Sequence, residues 1–165
     1  MPDKHLDDLF HDTLKDIYYA ERQILKALPK MARNAHSDKL RKAFEKHREQ
    51  TETHVERLQQ VFEIMGKAAR GKTCPAIDGI IEEGEEIISS FKDAPALDAG
   101  LIASAQAVEH YEIARYGTLR QWAIQLGLKD AAALLEQTLK EEETTDVLLS
   151  DLAENGANQE AAKAA

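Results

Sequence analysis

Apolar positions recur along most of the chain at alternating spacings of three and four, which line up one face of an α-helix. Leu6, Phe10, Thr13, Ile17, Glu21, Ile24 and Leu28 fall on one stripe; Leu40, Phe44, His47, Thr51, His54, Leu58, Val61 and Met65 form a second. Breakers separate the periodic stretches, and the pattern predicts five helices, at about 3–34, 37–66, 76–91, 97–126 and 129–154. Ser37 is placed to cap the second, and Pro29 is expected to kink or divide the first near its end. The stretch GKAARGKTCP (66–75) mixes two Gly and a Pro with basic residues and reads as a loop. A short amphipathic helix, AIDGIIEEGEEIISSF, follows, and DAPALDAG starts the fourth helix with Asp93 or Asp98 near its N-terminus. The polar, Ala-rich end is expected to fray, so the reading is one domain over 1–155 and a frayed polar tail over 156–165.

Two long helices, a long connection and two more long helices give an all-α fold, an antiparallel four-helix bundle with one long crossover that carries the extra short helix. Placing residues about 100° apart puts several polar side chains on the faces that should be buried. Glu21 is one, in the first helix; His47, Thr51 and His54 follow in the second, with Gln50 at the edge. In the fourth, Glu112 lies between Ala105, Tyr116 and Leu119, with Glu109 slightly to one side; in the last, Glu142 and Asp146 interrupt Leu135, Leu139 and Leu149, and Glu143 borders the arc. His110 points away.

Burying carboxylates costs several kcal/mol each unless a counter-charge is present, and hardly a Lys or Arg falls on these arcs. Two readings answer this. One is a divalent cation: bundles that hold two metals take a Glu from each of two helices and a Glu with a His from each of the others, and oxygen ligands with imidazole suit one or two iron or manganese ions. The other is a metal-free hydrogen-bonded network among the acids, Tyr18, Tyr116, His54 and the Thr residues. His47 fits a satisfied core histidine or an outer partner of the ligands, Glu109 a ligand or such a partner, and Tyr18 and Tyr116 packing.

A weak internal repeat relates the two halves. QTETHV (50–55) aligns without gaps on EETTDV (142–147), pairing Gln50 with Glu142 and His54 with Asp146, and Leu28 and Leu119 each follow the preceding Glu21 and Glu112 by seven residues.

Composition narrows the functional classes. The chain of 165 residues is 43% hydrophobic and 5% aromatic, which suits one helical domain. A formal net charge of −9 with no gathered Lys and Arg argues against nucleic acid, and no apolar run approaches the ~20 residues that span a bilayer. The lone Cys74 cannot form an internal disulfide, and MPDKHLDDLF lacks the features of a secretory signal, so a cytoplasmic location is expected. The run EEGEE (82–86) reads as a solvated face.

The stretches DIYYAERQILKALPKMA, GKTCPAIDGIIEEGEE and AQAVEHYEIARYGTLRQWAIQLG resemble the YciE/YciF family of bacterial stress-associated, ferritin-like proteins, and the resemblance runs over roughly residues 5–153. It implies a ferritin-like fold with an extra helix, a homodimer and a di-metal site, with no settled activity. By position it implies Glu21 and Glu112 as terminal carboxylates, Glu142 as a bridging one, and His54 and Asp146 as the remaining ligands. Gln50 departs from it, standing where a bridging carboxylate belongs, and the pairs 50/54 and 142/146 are spaced by four rather than three; Glu143 with Asp146 restores three. The resulting expectation is a mono- or di-metal protein with oxygen or peroxide chemistry, without an assigned catalytic residue or substrate. A dimeric helical scaffold that binds partners without metal competes with it. A cage for iron storage would need a multi-subunit assembly that nothing in this sequence indicates.

Overall fold

The structure, a computed structural model, describes residues 2–163. Five helices carry the fold: α1 (Leu6–Asn34), α2 (Asp38–Ile64), α3 (Pro75–Ser90), α4 (Leu97–Gln125) and α5 (Lys129–Leu152). Among the described residues there is no strand, and no helix is long and apolar enough to cross a membrane.

The helix ends follow local chemistry. The Ser37 hydroxyl accepts from Leu40 N at 3.4 Å at the start of α2, and the Cys74 thiol does the same for Ile77 N at 3.4 Å before Pro75 opens α3. Gly66 and Gly127, with φ of 66° and 74°, end α2 and α4 in the left-handed conformation that a glycine adopts without strain. The next amides then close the turn, Lys67 N donating to Phe62 O and Leu128 N to Ala123 O. Pro29 does not divide α1, which runs unbroken through it with Leu28 and Ala32 buried on its inner face. Packing on that face holds the turn across the missing amide donor.

α1 packs on α2, α2 on α5, α5 on α4 and α4 on α1, so the four long helices close a ring around one core. Phe10, Leu14, Ile17, Phe44, Leu58, Phe62, Leu101, Leu119 and Leu135 fill it. α3 lies outside the ring, against α4 and α1. Asp98, the expected acid in the first turn of α4, accepts from His36 N and Ser37 N at 2.8 Å each. It therefore ties the start of α4 to the corner between α1 and α2. Asp93, the other acid expected near that end, sits in the preceding turn at φ 59°.

After α5 the backbone continues through a wide π-helical turn, Ala153–Ala157, bent at Asn155, into α6 (Asn158–Lys163). Ala153 and Ala157 lie against the core, which holds a segment whose composition alone predicts fraying.

Candidate metal centre

Midway along the ring, the inner faces of α1, α2, α4 and α5 turn from apolar to acidic. Glu21, Glu109, Glu112 and Glu142 are buried together with His47 and His54, while no Lys or Arg among the described residues is buried. The helical period forces this convergence. Each of these residues occupies a position that continues an apolar stripe, such as Ile17–Glu21–Ile24 on α1 or Phe44–His47–Thr51–His54–Leu58 on α2.

Tyr116 donates to Glu21 Oε1 at 2.6 Å. His54 Nδ1 faces Glu142 Oε1 at 2.9 Å and Glu21 Oε1 at 3.5 Å, and His47 Nε2 approaches Glu109 Oε1 to 2.9 Å. None of these three contacts has hydrogen-bond alignment. Glu21 Oε2, Glu109 Oε2 and both oxygens of Glu112 and Glu142 are likewise buried without a hydrogen-bond partner. An orphaned buried polar group costs about 1–3 kcal/mol, so this concentration of them needs a physical reason.

The protonation pattern follows from burial and crowding. Burial pushes Glu109 up to about 7, with the Glu21 charge adding to the effect. It also raises Glu112 and Glu142 well above the usual carboxylate range, helped by their negative neighbours. Burial opposes Glu21 too, but the neighbouring His54 imidazole, together with the bond from the Tyr116 hydroxyl, outweighs it and holds Glu21 low. The Glu142 and Glu21 carboxylates overcome burial at His54 and push it up to about 11, whereas burial leaves His47 lowered. Burial and crowding thus push Glu109, Glu112 and Glu142 toward their protonated forms.

Two overlapping groups offer ligand atoms within 4.8 Å of one another: His47, Glu109, Glu112 and Glu142 in one, Glu21, His54 and Glu142 in the other. Glu142 belongs to both. Carboxylates with imidazole form a donor set for iron or manganese, and the orphaned oxygens are the atoms that a cation would satisfy.

Not every candidate joins the cluster. Gln50 is half-buried at the edge of α2, whose inner face is taken by His47, Thr51 and His54. Asp146, one turn beyond Glu142, leans toward α4 instead and accepts from Gln106 Nε2 at 3.3 Å and pairs with His110 at 3.0 Å. Glu143 is exposed. Tyr18 points to another part of the interior, edge-on to Phe62 with ring centroids 5.5 Å apart, and its hydroxyl accepts from Gln59. The repeat therefore pairs residues that occupy different environments.

The sequence reading missed the support of His54. Its Nε2 lies 2.8 Å from Glu141 Oε2, and Arg57 clamps that carboxylate with two donors at 2.7 and 2.9 Å. This is the arrangement that fixes a ligating imidazole, its second nitrogen held by a carboxylate. Arg57 follows His54 by three on α2, the one positional hint available.

An all-helical protein with a buried cluster of carboxylates and imidazoles is the class that these features define. The chain belongs to the family described as a domain of unknown function, DUF892, which it matches over residues 5–162. It is 48% identical over 160 residues to protein YciF of Escherichia coli K12, covering 96% of each chain, in keeping with the resemblance read from the sequence. The crystal structure of the E. coli stress protein YciF superposes with a TM-score of 0.90 at 46% identity, covering 94% of this chain and 99% of that one. YcfI from Rhodopseudomonas palustris superposes with a TM-score of 0.87 at 47% identity, covering 89% and 94%.

Proposed function

We propose that the chain is a ferritin-like antiparallel four-helix bundle that binds one or two iron or manganese ions in its interior. Glu21, His54 and Glu142 would hold one ion, and His47, Glu109, Glu112 and Glu142 the other. The observation that carries this reading is the set of carboxylate oxygens, both of Glu112 and both of Glu142 among them, that are buried without an aligned hydrogen bond. Cations at this point would satisfy them together.

Bound iron or manganese would supply one-electron chemistry toward dioxygen or peroxide. The protein's own part is to arrange the donors. Arg57 and Glu141 fix the His54 ring so that Nδ1 faces the acids. Tyr116 donates to Glu21 and turns that carboxylate, while Leu58, Leu119 and Phe44 keep bulk water away. In this reading the protein works in the cytoplasm as a homodimer, in a stress setting like the one for which its E. coli relative is named.

Titration of chelator-stripped protein with Mn(II), or with Fe(II) under anaerobic conditions, tests the reading. Up to two ions per chain should bind with a rise in Tm. Glu142→Ala should lose both, and Asp146→Ala should retain them. A protein that takes up neither metal and shows no thermal shift is the dimeric scaffold instead. A light-scattering mass of a dimer would exclude a storage cage.

A further inference from the structure

A narrow cavity of about 40 Å³ lies between α1, α3 and α4. Its walls are apolar, formed by Ile24 and Leu28 of α1, Ile81 and Ile88 of α3, and Val108 of α4. At its outer rim Lys30 of α1 and Glu85 of α3 form an ion pair at 3.2 Å, both partly exposed. At its inner end stand His47 and Glu109. Both are more than nine-tenths buried, and His47 Nδ1 and Glu109 Oε2 have no hydrogen-bond partner.

Size and lining restrict what can occupy this space. One water-sized molecule needs roughly 10–15 Å³ measured in this way, and a water needs two to four polar partners. The side walls supply little beyond Ser104, the unpartnered His47 and Glu109 atoms standing only at the inner end, so water gains little along them, and a drug-sized ligand would need about 300 Å³ or more. What remains is a small apolar molecule of a few atoms.

We propose that this cavity is the passage by which dioxygen reaches the His47 and Glu109 side of the buried centre, with the Lys30–Glu85 pair as its outer rim. The assignment of dioxygen rests on the metal-binding reading above; the affinity of the passage for a small apolar gas does not. α3 makes the passage: it covers the groove between α1 and α4 without filling it, because Gly84 stands where a side chain would otherwise project toward Ser104. A Cβ at Gly84, which lines the cavity, would meet Ser104 at 3.5 Å, ordinary contact, so a small substitution fits.

Methyl relaxation by dissolved dioxygen in the metal-free protein tests the passage directly. Dioxygen is paramagnetic and concentrates in apolar cavities. The methyls of Ile24, Ile81 and Val108 should relax at least twice as strongly as that of the exposed Val147, and xenon should compete. Gly84→Leu, which also replaces a poor helix former with a good one, should remove at least half of the excess; Val108→Phe serves as the second plug. Both variants should bind as much Mn(II) as the wild type. No excess at the cavity methyls, or an excess that neither plug reduces, overturns the proposal. Mn(II) uptake without a dioxygen signal defeats the passage alone; a dioxygen signal without Mn(II) uptake defeats the metal reading and leaves a gas-binding cavity.

Discussion

Glu141 holds His54 from outside the core: its Oε2 lies 2.8 Å from Nε2, so the opposite ring nitrogen, Nδ1, faces Glu142 at 2.9 Å. Replacing a carboxylate in this position lowers metal affinity by roughly 10–100-fold in well-studied centres. Glu141→Ala should therefore weaken Mn(II) binding by about that factor with helix content unchanged. Glu141→Gln, which keeps an acceptor, should recover part of it. Calorimetric titration of the two variants checks the order, and equal affinities in both and in the wild type would refute the role.

Neither oxygen of the buried Glu112 has a hydrogen-bond partner. Replacing buried ionisable groups with well-packed apolar ones is neutral or stabilising by up to about 4 kcal/mol. Glu112→Leu should raise the stability of the metal-free form by about 1–3 kcal/mol in a denaturant titration, and it should abolish the metal-dependent rise in Tm. A clear loss of stability would mean that Glu112 is satisfied in a way that its geometry does not reveal.

Cation binding should be linked to proton release. Glu109 carries its proton up to about pH 7, surrounded by His47 on α2, Glu142 and Asp146 on α5 and Glu21 on α1. A group raised in the folded state contributes stability in full below its unfolded pKa, near 4.5, and loses it as pH rises through about 7. A bound cation needs the carboxylate form, so Mn(II) affinity should rise from pH 5.5 to 7.5 with protons displaced on binding. Calorimetry in two buffers of different ionisation enthalpy measures that release; an affinity independent of pH would contradict it.

Asp98 joins the two helical pairs through bonds from His36 N and Ser37 N. Bonds to charged groups are worth about 1.5–3 kcal/mol each, and removing this acceptor leaves two amides near the start of α2 unsatisfied. Asp98→Ala should lower stability by about 2–3 kcal/mol without changing metal stoichiometry, and Asp98→Asn by less.

The helices were legible because their signal is local. Apolar spacing marked α1 and α2 within a few residues, and Ser37 announced its own cap. The same periodicity placed Glu21, His54, Glu109, Glu112 and Glu142 inside, since an inward position depends on the helix alone. Arc positions did not say which neighbour a side chain meets. Asp146 lies on the α5 arc as the sequence predicts, yet Gln106 and His110 on α4 draw it aside. His47 was harder to interpret, because only the facing Glu109 turns a core histidine into part of the cluster. The Glu141–Arg57 clamp spans two helices 84 positions apart in sequence, a relation that no single-helix period encodes. At the C-terminus the described part of the Ala-rich segment is helical, with Ala157 against the core, while residues 164–165 of the expected tail lie outside the described residues.

Glu142 is the member common to both donor groups, and that makes the two positions one thermodynamic unit. If both positions took an ion, the first would fix the shared carboxylate and take part of its charge, so the second would meet an altered partner and the two loading steps would not have independent constants. A titration of the intact protein would accordingly depart from a curve for identical, non-interacting sites, and the sign of that departure would report whether preorganisation of the shared oxygen pair or repulsion between the ions dominates.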